Sequence, residues 1–312
     1  MSVTVHVLGT GIVAGRVARM LYDQRLDTLD PYRPDFTRVT PGDVVVLAHG
    51  DDYAHPAAAA IGRGAHVVGV GDGVEDTRAQ IALGTLALEH GTTIVVGAAM
   101  APGLAGLLAR HLATDLAGAD EIHVAVHGTA GPACARAHHT ALRRPALGWH
   151  DGSWVEYLGG SGRELCWFPE PIGARDCYRA AHAAPVLLQR AFPEVARVSL
   201  RRSATRRDRL TARMPMLRQP HREGGVGALR VEVRGDGRDG GRECVVGGVA
   251  ELVGTAAGAC AAAFVAQLLG PGLPSGLVLP GAADLPTLDL LHRVESYGVR
   301  IQEFTGIPTQ PA

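Results

Sequence analysis

The sequence predicts an α/β protein: an abbreviated parallel-sheet domain followed by an α+β domain whose sheet is mainly antiparallel. Three observations carry this expectation. A β-rich TVHV segment leads into Gly9, Gly11 and Ala14, spaced G-x-G-x-x-A, and then into apolar residues at helical spacing over 12–21. Continuous apolar runs then alternate with helical ones as far as residue 120. From Glu121 onward the strands alternate apolar with polar residues, and the turns between them are rich in glycine and aspartate.

The first turn answers a physical demand at each small residue. Gly9 permits a tight turn, Gly11 lets the backbone approach a pyrophosphate, and Ala14 or Gly15 lets the helix pack close to the strand. The free N–H groups at the helix start then face the anion. That is a Rossmann-type arrangement, with Gly9, Thr10, Gly11, Ile12 and Val13 forming the phosphate turn. Beyond it, Pro31, Pro34 and Pro41 exclude a proper helix over 22–42, leaving a short strand over 26–29 and room for another over 36–39. This is the abbreviated part. Residues 43–50 (DVVVLAHG) read as a central parallel strand, 57–62 as a short helix, 66–71 as a strand, 76–90 as a helix and 92–98 as a strand. Pro102 and Gly103 then open a helix through LAGLLARHLATDL.

The second part begins with EIHVAVHG as a strand, followed by a helical stretch and a loop carrying Trp149, Trp154 and Trp167. The strands ARVSLRRS, ALRVEVRG and ECVVGGVA come next, each with one solvated face. A small-residue helix over 251–269, a helix over 285–296 and a closing VRIQEF strand complete the chain. Boundaries accordingly fall at 1–120 for a dinucleotide-binding domain, 121–250 for a second domain, and 251–312 for C-terminal helices and closing strand. Helices within 251–296 are placed to pack back onto the first domain.

Composition narrows the function. At 312 residues, 46% hydrophobic and 20% charged, the chain has the make-up of a globular protein with room for two cores. A formal net charge of −1 gives no general electrostatic case for nucleic acid. Every basic residue is arginine, so Schiff-base chemistry and lysine general acids are excluded. Five cysteines without a C-x-x-C pair point to reduced thiols and a cytoplasmic setting, and the first strand starts too early for a signal peptide. The most apolar stretch, 254–269, is too short and mixed to span a bilayer.

The run from AHVVGVGD through IALGTLALEHGTTIVVGAAMAPGLAGLLARHL resembles the saccharopine dehydrogenase-like oxidoreductases, in which P-G-L-(S/T/A) opens a helix beside the nicotinamide. ELCWFPEPIGARDCYRAAHAAPVLLQRAFP resembles that family's strand-to-loop element in the second domain, and PSGLVLPGAADLPTLDLLHRVESYGVRI its C-terminal helix and closing strand. The likeness is collinear over most of the chain. It implies an NAD- or NADP-dependent oxidoreductase, with residues 121–250 holding a small-molecule substrate and the contact of a homodimer. Two departures stand out. The second-strand region is shortened, and Val67 and Gly69 stand where the family commonly has a tyrosine and an aspartate.

Within this frame, residue types suggest roles. Asp27 and Asp30 fall about 20 residues after the glycines, where an acid reads the ribose and favours NAD; Arg25 or Arg33 would instead clamp a 2′-phosphate and favour NADP. His49 and Gly50, ending a central strand, should lie close to the cofactor, with Asp51, Asp52 and His55 toward the substrate and His55 a candidate proton donor. Met100, Ala101 and Pro102 would form a dry wall against the nicotinamide. In the second domain, His138, His139, Glu170, Arg175, Tyr178 and His182 are polar residues in apolar or loop settings. Arg175 is the candidate carboxylate anchor, His138 a substrate contact, and Tyr178 or His182 the proton source for reduction of C=N or C=C. His123 and His127 read as structural rather than as metal ligands. The expected reaction is hydride transfer to or from a C=N/C–N bond of a small amino-acid-derived metabolite. Reduction of an enoyl C=C, and a redox-silent binding or assembly role, are the alternatives.

Overall fold

The computed structural model describes residues 3–50, 52–216 and 219–304. The first part runs β1 (Val5–Leu8), α1 (Ile12–Met20), β2 (Leu26–Leu29), β3 (Val44–Leu47), α2 (Ala54–Gly62), β4 (His66–Gly69), α3 (Val74–Ala82), α4 (Gly84–Glu89), β5 (Thr93–Val96) and α5 (Ala105–Ala113). Its strands pair in parallel in the order β5-β4-β3-β1-β2. β1, β3 and β5 are buried along their whole length, as continuous apolar runs covered on both faces must be.

The second part runs β6 (Gly118–His127), α6 (Pro132–Ala141), β7 (Ala146–His150), β8 (Ser153–Tyr157), β9 (Glu164–Phe168), β10 (Gly173–Arg179), α7 (Ala184–Ala191), β11 (Arg197–Ser203), α8 (Arg206–Thr211), β12 (Val226–Asp236) and β13 (Arg242–Leu252). The chain ends with α9 (Val253–Leu269), β14 (Gly276–Val278), α10 (Thr287–Ser296) and β15 (Ile301–Phe304). β14 pairs with β5 and completes a six-stranded sheet. The other strands form a nine-stranded sheet, antiparallel except where β6 lies beside β11. The architecture is therefore an abbreviated Rossmann-type sheet joined to an α+β domain.

Four local expectations change. Residues 36–39 are not a strand: Asp35 accepts hydrogen bonds from the Thr37 N–H and hydroxyl and winds Phe36–Arg38 into a single 3₁₀ turn. The helix over 76–90 is two helices that break at Leu83. There the backbone of Gly84 approaches β14 so closely that a Cβ would lie 2.7 Å from the Leu277 Cβ. The three tryptophans sit on β7, β8 and β9 rather than in a loop, and Trp149 meets Trp154 edge-on across the β7–β8 pair. β14 adds a strand with no sequence signal, because three residues carry no periodicity of their own.

α9 packs on α1 through small residues. A Cβ on Gly254 would stand 2.5 Å from Ile12 Cγ2, and one on Gly258 would stand 2.7 Å from Arg16 Cβ. Gly258→Val should therefore cost about 1–3 kcal/mol by overpacking, read as a lower denaturant midpoint with unchanged slope. A second check lies under β1. Buried His6 places Nδ1 3.1 Å from Asp27 and Nε2 3.2 Å from Asp43. Burial pushes the Asp43 carboxyl up, but hydrogen bonds from Thr4, Thr40 and His6 outweigh it and hold it below the usual range. A lowered carboxyl pKa stabilises the fold fully above the unfolded value of about 4, and the gain is lost as pH falls through the folded value. Asp43→Asn should lower stability at pH 7 and flatten the acid limb of a pH–stability curve below about pH 4.

Candidate active site between the two sheets

The strand order reverses between β1 and β3, where β2 follows on one side and β4 on the other, so the carboxyl ends of these strands mark the topological switch point. Gly9 lies there at φ +145°, where a Cβ would lie 2.2 Å from the Ala48 carbonyl oxygen. Only glycine fits. α1 then starts at Gly11 with no side-chain cap and no acidic residue in its first turn. Nothing among the described residues lies within 4 Å of a Cβ built on Gly11. The first-turn N–H groups, those of Ile12 and Val13 among them, lack intrahelical partners and open onto this space. Exposed Thr10 borders it. Free N–H groups, the absence of an acid in the first turn and the open space at Gly11 suit a pyrophosphate.

The loop after β3 is held from beneath. Tyr53 stacks on His49 with ring centroids 4.5 Å apart, and its hydroxyl donates to the His49 carbonyl at 2.6 Å. Asp76 accepts from the N–H groups of Tyr53 and Ala54, and burial pushes its carboxyl up despite those donors. Gly50 is exposed, as is His55 on the first turn of α2, while Asp51 lies outside the described residues. Asp30 follows the last residue of β2 and accepts from the Tyr32 N–H at 2.8 Å. Asp27 is tied to His6 and Arg38, so Asp30 is the acid available at that strand end. Met100, Ala101 and Pro102 are buried in the turn between β5 and α5, with the Pro102 ring packed over Gly97.

Opposite the turn, the two sheets bring together a cluster that the sequence scatters. Asp72, just past β4, points Oδ2 at His182 Nε2, 3.5 Å away. The Asp72 carbonyl accepts from the Ala183 N–H at 2.9 Å, joining the two domains directly. His182 Nδ1 accepts from the Ala184 N–H, which leaves its proton on Nε2, facing Asp72. Burial lowers the His182 pKa to about 4, so the ring is neutral at pH 7. On α6, Cys134 Sγ lies 3.3 Å from His138 Nε2, one helical turn on. Burial raises the Cys134 thiol, and burial together with the Arg202 charge lowers His138 well below the usual histidine range. Arg202 on β11 is the fifth member: 6% exposed, within the field of Asp72 and Cys134.

Of the other second-domain candidates, Tyr178 pairs with Arg202 across β10–β11 and shares its face, with the Arg209 guanidinium 4.2 Å above its ring. Arg175, three residues earlier on β10, points to the opposite face and is exposed; its Nη1 donates to the Ala174 carbonyl. The structure does not bring Arg175 to the cluster. That outer face holds a cavity of about 230 Å³ in which Arg201 is paired with Glu164 and Arg230 with Glu232, while Arg179 lies over the Tyr157 ring. His123 bonds Ser199 and Glu121, and His127 bonds Ser203. His139 Nε2 lies 2.9 Å from the Met214 carbonyl. Sequence reasoning missed Asp72, Cys134 and Arg202. Arg202 had a signal: in the alternation Val198, Leu200, Arg202 it occupies an inward position, where its neighbours are core.

The fold is a Rossmann-type parallel sheet joined to an α+β domain, with a polar cluster at their seam. No family model matches the sequence, and no curated protein matches it. Among solved structures, the chain is similar to apo saccharopine dehydrogenase (L-Glu forming) from Saccharomyces cerevisiae. The TM-score is 0.66 at 15% identity, covering 96% of this chain and 99% of that one. It is also similar to a meso-DAP dehydrogenase mutant with DAP from Clostridium tetani, with a TM-score of 0.51 at 13% identity over 92% and 96% of the chains. The likeness to saccharopine dehydrogenase thus extends to the whole architecture, both sheets included. No helix among the described residues is long and apolar enough to cross a membrane.

The open space at Gly11 gives a clean test of the crevice. Gly11→Asp should leave the unfolding midpoint near that of the parent, because aspartate is a favoured N-cap and nothing is displaced. Calorimetric titration with NADH and NADPH should show dinucleotide binding by the parent and none by the variant, whose carboxylate occupies the pyrophosphate position.

Proposed function

We propose that this chain is an NAD(P)-dependent oxidoreductase that transfers hydride to or from a C=N/C–N bond of a small amino-acid-derived metabolite. The observation that carries the reading is the Asp72–Cys134–His138–His182–Arg202 cluster at the domain seam, with His182 and Arg202 buried and the other three half-buried. The dinucleotide supplies the hydride chemistry when bound. Gly9, Thr10, Gly11, Ile12 and Val13 hold its pyrophosphate, Asp30 its ribose, and His49 and Gly50 border it on the β3 side. Met100, Ala101 and Pro102 exclude water from the reacting face, where a dry wall serves better than a reactive side chain.

The chain's own groups then manage the proton. Cys134, held as a thiol beside His138, has a proton to give, and neutral His182 turns its Nε2–H toward Asp72 at 3.5 Å without a formed hydrogen bond. A charged, hydrogen-bonding seam supports C–N chemistry over enoyl reduction, for which an apolar cleft would speak. The reading includes a small-molecule substrate, a cytoplasmic setting and a homodimer formed through the second domain. Light scattering on the purified chain checks the dimer.

Calorimetry with the four nicotinamide dinucleotides tests the enzyme reading: binding of none of them removes it. Because Asp30 stands at the ribose end of β2, NAD(H) should bind more tightly than NADP(H), and Asp30→Asn should narrow the gap. Equal affinity of the parent for both would place cofactor choice elsewhere.

A further inference from the structure

We propose that the outer face of the second sheet holds a binding site for a small phosphorylated metabolite, with Arg179 and Arg201 as its anion-holding residues. The site goes beyond the oxidoreductase reading, because it lies on the face of the sheet turned away from the seam. Three strands separate β12 from β9 in the order β12-β6-β11-β10-β9. Yet Ala228 of β12, Ala125 of β6, Cys166 and Phe168 of β9 and Cys177 of β10 pack as one buried cluster. A Cβ on Gly248 of β13 would also stand 2.9 Å from the ring of Pro169, just past β9. The sheet therefore curls toward β9 and walls the cavity of about 230 Å³, whose lining shares Ala125 and Cys166 with that apolar cluster.

The lining supplies the chemistry. It contains five arginines, two histidines and two glutamates. Four of the arginines meet carboxylates: Arg201 pairs with Glu164, Arg230 and Arg234 with Glu232, and Arg197 with Glu121 and Asp151 at the margin. The fifth, Arg179, has no carboxylate within ion-pair distance among the described residues; Glu164 and Asp176 of the same hairpin are taken by Arg201 and Arg163. Its guanidinium lies over the Tyr157 ring at 3.8 Å, and a Cβ on Gly162 would stand 3.1 Å from its central carbon. Arg179 is thus held between a ring and the backbone, as a charged donor without an acceptor. Arg201 and Arg230 each engage their glutamate through one nitrogen, at 2.5 and 2.6 Å, leaving the rest of each fork for the cavity. Donors exceed acceptors here, and the missing partner is an oxyanion with several oxygens. A tetrahedral phosphate accepts from several forks at once, whereas a planar carboxylate is matched by one. At about 230 Å³ the cavity falls short of the roughly 300–1,000 Å³ of drug-sized ligand sites, so the ligand is small. Trp149 and Tyr157 give its organic part an aromatic wall.

The test follows the tryptophan fluorescence of the full chain, because Trp149 lines the cavity, with calorimetry as a second reading. The probes are glycerol 3-phosphate, inorganic phosphate and succinate, a dianion without a tetrahedral group, all at constant ionic strength. Both phosphates should bind, the ester more tightly than the free ion, and succinate about ten-fold more weakly than either. Arg179→Met should weaken both phosphates about ten- to a hundred-fold, the range of one charge-assisted hydrogen bond, while its apolar stem still covers the Tyr157 ring. Glu164→Gln, on the exposed rim, frees Arg201 and should tighten binding by up to about five-fold, the worth of an exposed charge pair. Both effects should persist when Gly11→Asp is added, because the added carboxylate blocks only the dinucleotide crevice. Binding that vanishes with Gly11→Asp belongs to the crevice and overturns the cavity site. Failure of both phosphates to bind, equal binding of succinate, or affinity unchanged in a folded Arg179→Met protein overturns it as well. Weaker binding by Glu164→Gln does so whether or not Arg179→Met folds.

Discussion

The α1–α9 contact is the constraint on which the rest depends. α1 begins at the phosphate turn, and α9 follows directly from β13 of the second sheet, so their packing fixes one sheet against the other. The contact is close because Gly254 and Gly258 present no side chains to Ile12 and Arg16. Ile12 is also the residue that a Cβ on Gly131 would meet at 3.2 Å, where the chain leaves β6 for α6. One side chain at the start of α1 therefore touches the return of the chain and the entry to the helix carrying Cys134 and His138. Dispersion at such dense contacts falls off steeply with separation. A shift of α9 would move the buried cluster relative to the glycine turn.

The electrostatics of the seam follow from that geometry. Burial alone disfavours every charged form, which explains neutral His138 and His182 and the protonated Cys134 thiol. Arg202 cannot respond in this way because its guanidinium holds its proton even when burial lowers its pKa. The contrast with the outer face of the same sheet is informative. There Arg197, Arg201, Arg230 and Arg234 stand beside Glu121, Glu164 and Glu232 at ion-pair distance. Two faces of one sheet thus hold arginine differently: ion pairs in contact on the outer face, and on the inner face Arg202, which feels Asp72 of the first domain through space.

Much of the first domain was legible because its signals are local. A glycine at φ +145°, a strand of uninterrupted valine and the prolines after α1 each act within a few residues. The 3₁₀ turn at Phe36–Arg38 is not legible in periodicity because the Asp35 side chain decides it. The break at Leu83 was invisible because its cause, Leu277, lies far away in sequence. The buried cluster was half legible for the same reason. His138 and His182 could be singled out as polar residues in apolar settings, but their partners Asp72, Cys134 and Arg202 come from three further positions that only tertiary packing unites. Arg175 attracted attention by its residue type, and the parity of β10 turns it away from the seam.

The departures from the saccharopine dehydrogenase-like pattern acquire a physical reason in this packing. Where that pattern commonly has an aspartate, the chain has Gly69, and a Cβ there would lie 2.5 Å from the Gln80 Oε1 and 3.7 Å from the Tyr53 ring. Gln80 is itself engaged, donating to Asp76, which in turn holds the N–H groups of Tyr53 and Ala54. An acid at position 69 would be pressed into this network beside another buried carboxylate, which is unfavourable on both steric and charge grounds. The network that fixes the loop beneath the dinucleotide crevice thus removes room for an acid on β4. The acid that faces the second domain instead comes from Asp72, three residues on, where the backbone has left the strand and Ala183 of the second domain binds its carbonyl. Rigidity under the crevice and an acid at the seam are met by different residues of one short segment.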